Sequence, residues 1–173
     1  MRRGEALGLR WSDVDLEAVQ LTIRQALQRA GSQPTFAEPK SARSRRSIAL
    51  PDFAADALRA QRTRQLQDRL LAGSRWQDHG LVFTSSIGTP MEPGQVTKRL
   101  QRLLRGAGLA PLRFHDLRHA TASLLVAQGA HPRTIMEILG HASITMTMNT
   151  YAHVAPVLQR EAAASLDAVL RPA

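Results

Sequence analysis

The sequence predicts a mainly helical α+β fold with a small three-stranded antiparallel sheet near the N-terminus. Three observations carry that prediction. Val19-Gln20-Leu21-Thr22-Ile23 alternates apolar and polar residues with the period of a strand. Beyond residue 52, apolar residues recur mostly at helical spacing. The chain has 173 residues and is 43% hydrophobic, which suits one compact domain with a real core. Aromatics make up only 4%, so Leu, Ala, Val and Ile must fill that core.

In chain order, Arg3 to Trp11 reads as a short helix, with Leu7 and Trp11 four apart and Ser12-Asp13 ending it. Val19 to Ile23 is the first strand. Gly31-Ser32-Gln33-Pro34 is a turn. Thr35 to Pro39 is the second extended segment, leading into a basic turn, Lys40 to Arg46. Ser47-Ile48-Ala49-Leu50 is the third strand, stopped by Pro51. Asp52 then caps a helix from Phe53 to Leu71, with Ala57 and Leu58 inward. Leu81 to Thr84 is a short apolar run. Pro93 to Arg105 is a basic amphipathic helix with Val96, Leu100, Leu103 and Leu104 on one side. Phe114 to Gln128 is a helix whose stripe is Leu117, Ala120, Thr121, Leu124 and Leu125. Pro132 sits in the first turn of a helix closed by Gly140. Ser143 caps a short helix through Met148, and an alanine-rich helix covers residues 154–171.

Composition removes several classes of function. There is no cysteine, so disulfides, thiolate metal sites and cysteine nucleophiles are excluded. No apolar run approaches the roughly 18–20 residues of a membrane span, and the start carries no signal-peptide pattern. The expectation is a soluble cytoplasmic protein with no membrane partner. The net charge is +9, carried by 21 arginines and two lysines, Lys40 and Lys98. A pI near 11.5 points to a polyanionic partner, most simply nucleic acid.

Tyr151 is the only tyrosine, ten residues after His141 and 36 after His115. Cutting a phosphodiester without a metal needs a nucleophile, positive donors for the transition state, and an acid for the leaving oxygen. A tyrosine hydroxyl can be the nucleophile. His115, Arg118 and His119 share one helix face, which the spacing turns away from the leucine stripe; such a face could present a guanidinium to a phosphate or be only solvated. His141 follows the glycine that closes a helix and stands on a rigid corner. Zinc at His115, His119 and His141 is disfavoured, because no Glu occupies a His-Glu-x-x-His position and no thiolate exists.

Four separated motifs then resemble one family. Phe114-His115-Asp116-Leu117-Arg118-His119-Ala120, Ile138-Leu139-Gly140-His141 and Asn149-Thr150-Tyr151 resemble the C-terminal catalytic core of tyrosine site-specific recombinases, the phage integrase family. Arg2 to Asp15 resembles that family's first arginine motif. Pro39 to Pro51 resembles its β-hairpin lysine segment. The resemblance extends from residue 2 to about 158.

The resemblance implies a six-part site. Arg2 and Arg118 take the places of the two catalytic arginines, and Glu5 supports the first. Lys40 takes that of the general acid for the 5′-oxygen. His115 is a proton acceptor or hydrogen-bond partner, His141 fills the histidine-or-tryptophan position, and Tyr151 is the nucleophile. Arg43, Arg45 and Arg46 are read as DNA backbone contacts. Lys98, Arg99, Arg102 and His119 are candidate DNA contacts. The implied activity is site-specific recombination of double-stranded DNA through a 3′-phosphotyrosyl intermediate, with no metal, nucleotide cofactor or small-molecule substrate. The implied active form is a homotetramer on DNA, with the helix at 154–171 docking on a neighbouring protomer or folding back on its own core. Residues 1–173 are expected to be a single catalytic domain, without the family's first helix or helices and its N-terminal DNA-binding domain. Two alternatives remain open: a catalytically defective DNA-binding remnant, and a type IB topoisomerase-like nicking-closing enzyme.

Overall fold

The computed structural model describes residues 1–30, 33–38 and 45–140. The expected helices at 143–148 and 154–171, together with Lys40, Arg43, His141 and Tyr151, lie outside the described residues. The chain divides into two compact units, Met1–His115 and Asp116–Ala173.

In the first unit, helix α1 (Arg3–Leu7) is followed by a 3-10 turn at Trp11–Asp13. Strands β1 (Val14–Asp15), β2 (Gln20–Ile23), β3 (Ala26–Ala30), β4 (Gln33–Ala37) and β5 (Arg46–Ala49) come next. Helices α2 (Asp52–Ala72) and α3 (Pro93–Gly106) complete it. All strand pairing is antiparallel. One sheet has three strands in the order β1-β2-β5, and β3 and β4 form a separate two-stranded sheet. The sheet therefore has the expected strand number but a different membership. The segment at 33–37 pairs with Ala26–Ala30, with Ala26 opposite Ala37, and the third strand of the main sheet is Val14–Asp15.

The core of this unit gathers Leu9, Leu21, Ile23, Leu58 and Val82, with Trp11, Val14, Leu16, Ile48, Leu50 and Phe83 against them. Leu81 and Val82 are not an independent strand. The Val82 amide donates to the Leu9 carbonyl (2.9 Å), and Trp11 N–H to Gly80 O (2.9 Å), so this run clamps the segment after α1. Gln65 of α2 ties the clamp down. Its Nε2 donates to Leu81 O (2.9 Å), and its Oε1 accepts from Trp11 Nε1 (2.6 Å). The Arg62 guanidinium lies 5.5 Å from the centroid of the Trp11 ring.

Several expected boundaries and faces shift. The first helix ends at Leu7, not Trp11, because the segment 9–11 is bonded to residues 80–82. Pro51, not Asp52, is the N-cap of α2, and Asp52 lies in the first turn. Ala55 and Leu58 face inward there, and Ala57 is exposed. On α3 Leu104 is buried, but Leu103 is 65% exposed.

Two glycines fix where α1 sits. A Cβ on Gly4 would stand 2.6 Å from the Leu27 carbonyl oxygen, and one on Gly8 would stand 2.9 Å from the Leu27 nitrogen. These residues are four apart, on one side of α1, and β3 lies against that side. The Gly8 carbonyl also accepts a bond from Gln25 Nε2 (2.8 Å).

In the second unit, α4 (Phe114–Ala127), whose first two residues close the first unit, and α5 (Pro132–Leu139) form a helical hairpin. Ala122, Val126, Ile135 and Leu139 are its core. Gly140 closes α5 in the left-handed conformation (φ 66°). The inner face of α4 is Arg118, Ala122 and Val126, and of the predicted stripe only Leu125 packs against that core; Leu117 is 39% exposed and Leu124 66%. No helix among the described residues is long and apolar enough to cross a membrane.

Replacing Gly4 with alanine forces a methyl group into a backbone oxygen that cannot swing away. Gly4→Ala is expected to lower stability by about 1–3 kcal/mol, read as a reduced urea midpoint with an unchanged slope.

Candidate active site

The site begins with a carboxylate that the fold has buried. Glu5 is the third residue of α1, and its side chain is only 6% exposed. Oε2 accepts the Arg2 backbone N–H (2.7 Å), the half of a capping box in which an acidic residue reaches back to the helix start. Oε1 accepts Nη1 of Arg2 (2.9 Å). Arg46, the first residue of β5, closes the cluster from the other side. Its Nη1 reaches Oε1 at 3.2 Å and its Nη2 reaches Oε2 at 2.9 Å. Burial alone pushes the Glu5 carboxyl up. The hydrogen bonds and charge of Arg46, with the Arg2 bonds, outweigh that effect and bring it down to about 2.

This overturns one expectation. Arg46 is not an exposed DNA backbone contact, because its side chain is 7% exposed and its fork is committed to Glu5. Arg45, its neighbour, points the other way and pairs with Glu38 at the surface. The strand explains the difference. Residues of β5 alternate in burial, which puts Arg46 and Ile48 on the inner face and Ser47 and Ala49 outside.

Arg2 extends from this anchor with 41% of its side chain exposed. It lines a cleft of about 410 Å³ with Met1, Arg3, Thr97, Gln101, Arg113, Phe114 and His115. Two of the predicted site residues, Arg2 and His115, thus come from positions 113 apart in sequence to one cleft. Arg3 and Arg113, which the sequence reading passed over, add two more guanidinium-bearing side chains to its lining. Arg3 Nη1 donates to Thr97 Oγ1 (2.8 Å), which ties α1 to α3. The signal for Arg113 is its place just before Phe114-His115; that for Arg3 is its place beside Arg2. A cleft lined by three arginines and a histidine is chemically suited to an anionic oxygen group such as a phosphate.

The remaining candidates are placed as follows. Arg118 is buried (5% exposed) on the inner face of α4 with Ala122 and Val126, not on an outward polar face. His115 and His119 are exposed. Lys98, Arg99 and Arg102 are exposed on α3. They are turned roughly 100–200° from Thr97, and none lines the cleft. Among the described residues no cluster of His, Asp or Glu could hold a metal ion.

The model of the phage integrase family matches residues 1–157, and the chain belongs to that family. It is 31% identical over 96% of its length to a XerC-like tyrosine recombinase of Caldanaerobacter subterraneus, covering 46% of that protein. It is 29% identical over 98% of its length to the ICEBs1 integrase of Bacillus subtilis, again covering 46%. The chain thus spans less than half the length of these curated relatives. Among solved structures, the Tn1549 transposon integrase in complex with transposon right end DNA superposes with a TM-score of 0.75 at 24% identity, over 94% of this chain and 55% of that one. XerA recombinase gives 0.69 at 24% identity, over 99% and 54%. The mainly helical fold with its small antiparallel sheets is that of these neighbours.

Glu5 ties stability to acid pH. Its folded value, about 2, lies below the ordinary 4.5. Its contribution is therefore complete above about pH 4.5 and is lost as pH falls through about 2. Unfolding free energy is expected to drop by on the order of 3 kcal/mol from this group across that window. Glu5→Gln should flatten the corresponding part of a urea-midpoint profile between pH 5 and pH 2.

Proposed function

We propose that the chain carries the DNA strand-cleavage and rejoining chemistry of a site-specific tyrosine recombinase. The single observation that supports this most is the cleft shared by Arg2 and His115 beside an ionised, buried Glu5. Lys40, Arg118, His141 and Tyr151 all lie within residues 1–157, the span that the family model matches, which supports the reading. In this reading the Tyr151 phenol gives its proton to His115 as its oxygen attacks phosphorus and forms a 3′-phosphotyrosyl ester. The bond to the 5′-oxygen breaks, and that oxygen takes a proton from Lys40. Lysine suits this step because it gives up a proton far more readily than arginine. Arg2 and Arg118 supply donors to the nonbridging oxygens, where charge builds up in the transition state. His115 and His141 add hydrogen bonds. Rejoining reverses these steps with a new 5′-hydroxyl.

The partner is double-stranded DNA, and the working assembly is a homotetramer that brings two duplexes together. Relatives with such names as the ICEBs1 integrase and the Tn1549 transposon integrase make integration or excision of a mobile element the favoured biological setting. Arg45, Lys98, Arg99, Arg102 and His119 are exposed, so they remain candidate DNA contacts in this reading.

The test uses a pool of end-labelled duplexes of randomised sequence, each with a nick that lets the cleaved end diffuse away. The expected result is a detergent-stable protein–DNA adduct, mapped to Tyr151 by mass spectrometry and absent in Tyr151→Phe, with one sequence enriched in the adduct. Duplex binding without any adduct would show a DNA-binding remnant instead. Relaxation of supercoiled plasmid by isolated monomers would show a nicking-closing enzyme.

A further inference from the structure

We infer that Arg46 is a positioning residue for Arg2, acting through the carboxylate of Glu5. This rests on the reading of Arg2 as a transition-state donor, and it adds a residue to which that reading gave a different task.

The bonding pattern is what assigns the role. Each Glu5 oxygen is shared between one Arg2 bond and one Arg46 bond. Oε1 takes Nη1 of Arg2 and Nη1 of Arg46, and Oε2 takes the Arg2 backbone N–H and Nη2 of Arg46. The carboxylate plane is therefore set by the flat guanidinium of Arg46, which is itself 7% exposed. Arg46 is fixed in turn by the sheet, where it stands opposite Ile23. Arg2, 41% exposed, donates Nη1 to that plane and lines the cleft.

A carboxylate held only by Arg2 could rotate about its own bonds and take Arg2 with it. A displacement of about 1 Å at a catalytic group can cost about 100-fold in rate. Lysine at position 46 would keep the charge but offer a point donor in place of two parallel bonds. Arg46 also lies six residues after Lys40 in sequence. The same strand that follows the lysine segment in sequence thus sets the first arginine.

The experiment measures single-turnover adduct formation with the captured nicked duplex for the full chain and for Arg46→Ala, Arg46→Lys, Glu5→Gln and the Arg46→Ala/Glu5→Gln pair. Duplex affinity is measured at several salt concentrations for each. A positioning role gives a rate at saturating DNA at least tenfold lower in Arg46→Ala, with an affinity and salt slope unchanged within about twofold. Arg46→Lys falls between, and the double variant is no slower than the worse single variant. A loss of affinity with a salt slope reduced by about one, at an unchanged saturated rate, would make Arg46 a phosphate contact and overturn the inference. So would fully additive losses in the double variant. Thermal melts identify any variant that fails to fold, in which case Arg46→Lys decides.

A second readout needs no cleavage. In nitrogen-15 NMR the Arg2 guanidinium protons should exchange with water at least tenfold faster in Arg46→Lys than in the parent, and an unchanged rate would sink the inference. If the parent chain forms no adduct, the recombinase reading fails on that result, and the exchange measurement still decides the role of Arg46.

Discussion

A negative charge placed below the surface, between two arginines, is the constraint around which the first unit is built. Glu5 belongs to a helix of only five residues, far too short to hold its shape in water alone. Its geometry must come from outside, and it comes from two sides. The glycine side of α1 rests on the backbone of β3, and the carboxylate is gripped by the first residue of β5. An ionised carboxylate in such a place is costly unless its lone pairs are satisfied, and here four donor contacts do so. Removing one partner leaves the charge buried and underpaired, which is why helix, hairpin and sheet cannot drift independently. The first arginine of the proposed chemistry inherits its position from that balance.

The same logic explains how far the sequence could be read. Motif order grouped Arg2, Glu5 and His115 by residue type and spacing, and the structure brings Arg2 and His115 to one cleft with Glu5 bonded to Arg2. The fold class was legible from the alternation at 19–23 and the helical periodicity after residue 52. The failures have specific physical origins. A two-residue strand such as Val14–Asp15 is too short to show a period. Ala26–Ala30 lacks the β-branched and aromatic residues that mark strands; it is extended because it pairs with β4 and lies under two glycines. On α4, counting leucines selected the large apolar residues, whereas the packed face uses Ala122 and Val126 with Arg118 on the same side. The run Arg43, Arg45, Arg46 reads as uniformly basic. Strand period alone could have separated its members, since stepping back two from Ile48 lands on Arg46.

The cleft shows what three-dimensional placement adds to a list of motif residues. Arg3 and Arg113 are only chain neighbours of motif residues, yet they stand with Arg2 and His115 around one space. Conversely, Lys98, Arg99 and Arg102 look like an obvious basic patch and are turned to other sides of α3. Local positive charge is abundant in a chain with 21 arginines, so charge density carries little information about the site. Arg2 and Arg3 stand out by lining the cleft while Glu5 fixes the one and Thr97 the other.

The clamp around Trp11 has an optical consequence. The chain has two tryptophans, Trp11 and Trp76, and both belong to the unit Met1–His115. Trp11 is bonded through Gln65 to the backbone at Leu81 and has a guanidinium stacked near its ring. Its emission therefore registers the loosening of α2 from the segment after α1. The α4–α5 hairpin contains no indole at all. Tryptophan fluorescence follows one half of this molecule and is blind to the other, so a single clean transition by that probe describes the arginine–glutamate unit rather than the whole chain.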